Sequence, residues 1–294
     1  SIDPQNLGYM NLKAVALSKI GDYEQAIVFY ERVLSLNPGY SKIWHSFGHT
    51  LKTAGLHERA VAAYRKSIEL EPTFGEAYWS LANLKTFRFT DEDINEMQQQ
   101  LKSGVLSEED YFHFDFALAK ALEDQKQYEV SFQHYQQGNV RRKKLIQYEA
   151  NRNLLKINQC QQICNTAFFE ERAEYGENSS APIFVVGMPR AGSTLIEQIL
   201  SSHSQIEGTM DLPDIMSYTK VLYRHRSNRN DKTYYPSLAE MSAEQASQFG
   251  QSYLSSTQVH RKVNKPYFID KMPNNYAHIA LIQLILPNAR IIDA

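Results

Sequence analysis

The residues of this 294-residue chain best suited to chemistry lie in one short stretch, GMPRAGSTL, residues 187–195. Gly187 and Gly192 stand with four residues between them and are followed by Ser193 and Thr194. That is the spacing of a loop that cradles phosphate with backbone N–H groups, except that the usual lysine after the second glycine is replaced by Ser193. The lysine serves to neutralise the outer phosphates of a nucleoside triphosphate. Here the nearby cation is Arg190, inside the loop, and a planar guanidinium suits one tetrahedral anion held through two hydrogen bonds. Ser193 and Thr194 add hydroxyl donors at the first helical turn. A 5′-phosphate carrying one further anionic group therefore fits better than a triphosphate with magnesium. The nearest thing to a magnesium-holding strand end is YFIDK, whose Asp270 precedes Lys271.

The elements that must position this loop alternate. Apolar runs at 183–187, 266–270 and 290–293 read as buried parallel strands. Helical patterns at about 193–202, 212–226, 243–262 and 275–286 lie between or beside them. Such alternation implies an α/β layer fold. The polar segment EYGENSSAP, residues 174–182, separates this half from a helical one and is the expected domain boundary.

The first half repeats. Gly21, Ala26, Tyr30 and Pro38 recur 34 residues later as Gly55, Ala60, Tyr64 and Pro72. The glycines stand where a helix ends and the chain turns, the alanines allow close helix crossing, and the tyrosines fill the space between pairs. This period and pattern resemble the tetratricopeptide repeat. Units are expected at 7–40 and 41–74, degenerate units to about 140 (with Tyr78, Trp79, Leu81 and Ala82 opening a third), and then helix to about 173. Such arrays either present a concave face to a peptide or protein or serve as a rigid scaffold. The run Arg141–Lys144 reads as a solvated helix face.

Composition sets bounds on the whole. The chain is 43% hydrophobic and 22% charged with a formal charge of −2, which predicts no general attraction to nucleic acid or membrane surfaces. No apolar run approaches the roughly 18 residues of a membrane span, and the N-terminal residues do not read as a signal peptide, so a cytoplasmic protein is expected. Cys160 and Cys164 read as two reduced thiols on one helix face. Asn178-Ser179-Ser180 fits a glycosylation acceptor, but also a small polar linker. No residue cluster calls for a metal.

Three blocks carry a second resemblance: PIFVVGMPRAGSTLIEQILSSHSQI, GTMDLPDI and PYFIDKMPNNYAHIALIQLILPNARIIDA. Together they resemble sulfotransferases fused behind tetratricopeptide repeats, related to the tyrosylprotein sulfotransferases. The resemblance covers about residues 181–294. It implies an N-terminal all-α repeat superhelix followed by an incomplete α/β, P-loop-like sulfotransferase domain with a parallel sheet, over 183–294. It also implies transfer of a sulfuryl group from 3′-phosphoadenosine 5′-phosphosulfate (PAPS) to an acceptor hydroxyl, with PAP as the product and no metal.

The resemblance assigns the donor's 5′ group to Arg190, Ala191, Gly192, Ser193, Thr194 and Leu195. It places Asp211 where the family has a catalytic glutamate, one methylene longer, so Asp211 is either the base or, like Asp214, a helix cap. Lys271 matches the strand-end lysine that stabilises the leaving phosphate. Asn274 and Asn275 are candidate helix caps, and His203 a helix C-terminal residue. The arginine and serine that hold the donor's 3′-phosphate in the family fall beyond Ala294, so weak PAPS binding and little activity are expected of these 294 residues alone. Protein, glycan and small-molecule acceptors stay open. Two further readings remain: a nucleotide kinase with a degenerate phosphate loop, and a non-catalytic repeat scaffold.

Overall fold

The computed structural model describes residues 6–84, 86–146, 148–226 and 234–294. They form two compact units, one ending at Tyr148 and the other beginning at Glu149. Among the described residues, no helix is long and apolar enough to cross a membrane.

The first unit is all-helical: α1 (Leu7–Lys19), α2 (Tyr23–Leu36), α3 (Ser41–Thr53), α4 (His57–Leu70), α5 (Gly75–Ala82), α6 (Asp91–Lys102), α7 (Glu108–Asp124) and α8 (Tyr128–Ile146). The repeat signals do what their chemistry demands. Gly21 and Gly55 turn the chain at φ 79° and 80°, values L side chains adopt only with strain. Ala26 and Ala60 are fully buried, and so is the ring of Tyr64. Gly48 lets α3 meet α4 closely, since a Cβ there would lie 2.5 Å from the Tyr64 ring. The third unit loses its rhythm because α5 has only 8 residues and α6 intervenes. Its packing partner is α7, through Tyr78 against Phe114 at 4.8 Å between ring centroids. Helices α7 and α8 then form the last antiparallel pair. The basic run on α8 is partly spoken for: Arg141 reaches Asp115 at 3.4 Å and lies over Tyr111, and Arg142 lies over Phe112.

The second unit contains α9 (Ala150–Ile163), α10 (Thr166–Glu170), β1 (Pro182–Val186), α11 (Ser193–Ser201), β2 (Ile206–Gly208), α12 (Asp214–Arg226), α13 (Tyr234–Ala239), α14 (Ala243–Thr257), β3 (Tyr267–Asp270), α15 (Ile279–Ile285) and β4 (Arg290–Asp293). The four strands are parallel in the order β2-β3-β1-β4. Strand β1 is central and buried throughout. Alternation splits its side chains between two layers. Ile183 and Val185 pack with Ile196 and Leu200 of α11, whereas Phe184 and Val186 join Tyr253, Leu281 and Ile285 on the opposite face. Short β2 and α13 escape the sequence patterns because three and six residues are too few to display a period.

The unit boundary falls earlier than the expected linker at 174–182. Cys160, Ile163, Cys164 and Phe168 pack into the core of the second unit, which draws α9 and α10 to it. Residues 174–182 are themselves tied down. The Glu177 amide donates to the Ile285 carbonyl at 2.9 Å, and its carboxylate accepts from Ser247 Oγ at 2.6 Å. Both cysteines are free, and burial beside Cys160 pushes the Cys164 thiol up to about 12.

Candidate functional site

The chain leaves β1 and crosses to β2 on one side of the sheet, while β3 connects to β4 on the other. Strands β1 and β3 are neighbours whose connections therefore diverge, and such a point opens a crevice at the C-terminal strand ends. The GMPRAGSTL loop leaves β1 there, and Lys271 leaves β3 there. Sequence-distant candidates meet for this topological reason.

The loop turns through the left-handed region at three positions. Gly187, Arg190 and Gly192 have φ of 142°, 71° and 94°. Such a conformation is strained for Arg190, and strain of this kind concentrates at binding loops. Gly192 caps α11 without a side-chain hydrogen bond, and a Cβ built on it meets nothing within 4 Å. The loop is thus open on that side. Among the described residues, the amides of Arg190, Gly192, Ser193 and Thr194 donate to no protein group. These are the orphan donors of a helix N-terminus, where the dipole also favours negative charge. Ser193 is buried, while Arg190, Ala191, Thr194 and Leu195 are exposed, and no ion pair of Arg190 forms among the described residues. This donor set fits a phosphate-type anion.

The second and third candidates converge. Lys271 donates from Nζ to Asp211 Oδ1, across 60 residues of sequence. The Thr209 hydroxyl bonds the Ile269 carbonyl at 2.6 Å and fixes the segment after β2 against β3, which brings Asp211 within reach. Asp211 is thus engaged by Lys271 rather than by the first turn of α12. Asp214 opens that helix, and its carboxylate accepts from Ser256. Neither asparagine after Lys271 caps a helix by hydrogen bond. A 3-10 turn starts at Pro273 with Met272 at its cap position, and Asn275 is wholly buried. His203 lies just past the C-terminus of α11, where its Nδ1 accepts from the Gln205 amide.

One member escaped the sequence reading. Glu197 lies one turn after Ser193 on α11, and its carboxylate is 3.9 Å from Lys271 Nζ. Burial raises its pKa, opposed by Lys271 and supported by Asp211. The available signal was spacing: Ser193 and Glu197 are i, i+4 and share a face, and they are the two buried residues of α11.

Magnitudes separate the site's carboxylates from structural ones. An ion pair with one partner as exposed as Asp211, at 54%, contributes about 0–1 kcal/mol, too little to explain it as a stabiliser. Glu207 is the contrast. It is 4% exposed, meets Arg261 Nε at 2.9 Å, and accepts from the amides of Val263, Asn264 and Lys265. That carboxylate builds the turn before β3. Asp270 also points inward: it is fully buried and accepts from Tyr253 Oη at 2.9 Å, away from any ion held by the loop.

Each half of the chain resembles known proteins. Residues 182–294 match the sulfotransferase family, and residues 9–40 and 41–74 match the tetratricopeptide repeat. The chain therefore carries tetratricopeptide repeats in its N-terminal part and a sulfotransferase-family domain in its C-terminal part. It is 26% identical over 257 residues to an uncharacterized protein of Aquifex aeolicus (strain VF5), which is 87% of this chain and 33% of that protein. The chain thus spans about a third of that relative's length. A 72-residue stretch is 31% identical to small glutamine-rich tetratricopeptide repeat-containing protein 2 of Mycosarcoma maydis, 24% of this chain and 20% of that one. A crystal structure of MamA overlaps 50% of this chain and 84% of its own, at 15% identity and a TM-score of 0.40.

Proposed function

We propose that the protein is a PAPS-dependent sulfotransferase acting on an acceptor hydroxyl, with the repeats as an interaction surface or scaffold. The observation that supports this most is the meeting of Lys271 and Asp211 beside the first turns of α11, with Glu197 behind the lysine. A triphosphate enzyme needs a loop lysine and an accessible magnesium-holding aspartate. Ser193 occupies the lysine position, and Asp270 is buried against Tyr253.

PAPS would be held at its 5′ end by the amides of Arg190, Gly192, Ser193 and Thr194, the hydroxyls of Ser193 and Thr194, and the Arg190 guanidinium. It supplies the sulfuryl group, as an activated mixed anhydride. Asp211 accepts the proton of the acceptor hydroxyl, for which its exposed position leaves room, and Lys271 neutralises charge that develops on the phosphate side. Lys271 must share itself between Asp211 and the donor, and binding of the donor releases Asp211 toward the acceptor.

The test is sulfuryl transfer from radiolabelled PAPS to a panel of hydroxyl acceptors. Asp211→Asn should lower kcat by about 10²–10⁴-fold with little change in the KM for PAPS. Unchanged transfer by this variant would remove Asp211 from the chemistry, and ATP-dependent phosphorylation of the same panel would favour a kinase.

A further inference from the structure

We propose that His45, His49 and Glu76 form a binding site for a divalent transition metal of the zinc class, in the repeat unit and independent of the sulfotransferase-family domain. The two histidines are four residues apart on α3 and so share a face, with ring centroids 4.4 Å apart. Glu76 comes from the first turn of α5, one repeat later. One ligand atom from each of the three lies within 4.8 Å of the others.

The outer contacts are those of metal-binding imidazoles. His45 Nε2 pairs with Ser80 Oγ at 2.8 Å, and His49 Nδ1 pairs with Tyr64 Oη at 3.0 Å. Each ring is therefore oriented by a hydroxyl, the kind of outer contact that fixes tautomer and aim around a metal. Packing alone explains buried His45, which lies edge-on to Phe74. It does not explain why exposed His49 and Glu76 converge on the same point.

The surroundings favour a cation. His45 and Glu76 line a cavity of about 430 Å³ with Glu71, Glu109, Asp110 and Lys42, while Lys19 and Lys52 act on His49 from its other side. His113 lines the same cavity, and its buried Nδ1 has no hydrogen-bond partner among the described residues. Two imidazoles and a carboxylate suit zinc-class ions, whereas calcium and magnesium prefer all-oxygen sets. Three protein ligands leave a fourth position for water. Metal–nitrogen distances of about 2.0–2.1 Å put tetrahedral ligand atoms roughly 3.3 Å apart, so the cluster must contract. Glu76 is exposed and supplies this movement, while His45 and His49 are oriented by Ser80 and Tyr64. The ion would link α3 to α5 and thereby clamp successive repeats.

Chelator-treated protein should be titrated with zinc sulfate by calorimetry, with thermal melting in parallel and cobalt absorption as a spectroscopic check. One equivalent of zinc should bind and raise the melting temperature, and cobalt should give the intense absorption of a four-coordinate site. His49→Ala and Glu76→Gln, which alter exposed side chains, should each weaken zinc about tenfold or more while circular dichroism shows an intact helical fold. A Cys160→Ser, Cys164→Ser double variant should bind as the parent does. The proposal is overturned if the parent binds no zinc, if both variants keep its affinity, or if the cysteine variant loses it.

Discussion

Ser193 and Glu197, one helical turn apart, define what Lys271 can do. Ser193 sits where a nucleoside-triphosphate loop has lysine, and the positive charge arrives from β3 instead, flanked by Asp211 and Glu197. On the proposed reading, exposed Asp211 serves the acceptor, whereas buried Glu197 acts through the lysine as a positioning residue. Glu197→Gln should therefore lower kcat by roughly tenfold while the KM for PAPS moves less than about threefold. Burial already raises the Glu197 pKa, so the neutral amide should fold as well as the parent. Unchanged kcat would mean that Asp211 alone aims Lys271. The loop stood out by residue types and spacing, and Lys271 through the family resemblance. Glu197 did not, because its meaning depends on a partner 74 positions away in sequence.

At the scale of elements, β3 delivers two adjacent side chains to opposite fates. Lys271 leaves the strand toward the crevice, while Asp270 points into the layer formed by Tyr253 and Phe268. Burial, with Asp214 and Asp211 adding to it, pushes the Asp270 carboxyl well above its ordinary range, although Tyr253 opposes the shift. The sign follows directly. The folded state keeps this proton at pH values where the unfolded chain, with an ordinary aspartate near 3.9, has lost it. Stability is therefore greatest below the unfolded value and falls as pH rises, by up to about 1.4 kcal/mol per pH unit, until the raised native value is passed. Asp270→Asn should abolish this contribution, so its advantage over the parent in urea unfolding should grow from pH 4 to pH 8. An identical pH slope in both proteins would show that Asp270 is ionised in the folded state. Sequence patterns found the long elements well: β1, β3 and β4 lie within a residue or so of the expected runs. They missed β2 and α13, whose existence depends on tertiary pairing rather than on a period. The helix expected at about 212–226 is α12, which starts two residues later at Asp214.

For the whole molecule, two grammars of sequence gave two units, each with its own core. The 34-residue recurrence was readable because tetratricopeptide packing repeats the same small and aromatic positions. The boundary was not, since polar, glycine-containing residues 174–182 look like a linker until Glu177 is seen bonded to α14 and α15. The metal site proposed on the repeats runs against the sequence expectation that no residue cluster calls for a metal, because Glu76 reaches His45 and His49 only through repeat stacking. The central claim concerns the loop after β1, that its missing lysine marks a phosphosulfate donor rather than a triphosphate. The most direct measurement is a titration with PAP and, separately, with ATP and magnesium, to millimolar concentrations, on the protein and on its Arg190→Ala variant. PAP should raise the melting temperature more than ATP with magnesium does, and Arg190→Ala should weaken PAP by about tenfold or more, the scale of a lost charge-assisted hydrogen bond. Stronger stabilisation by ATP with magnesium, or unchanged PAP affinity in the variant, would contradict the account.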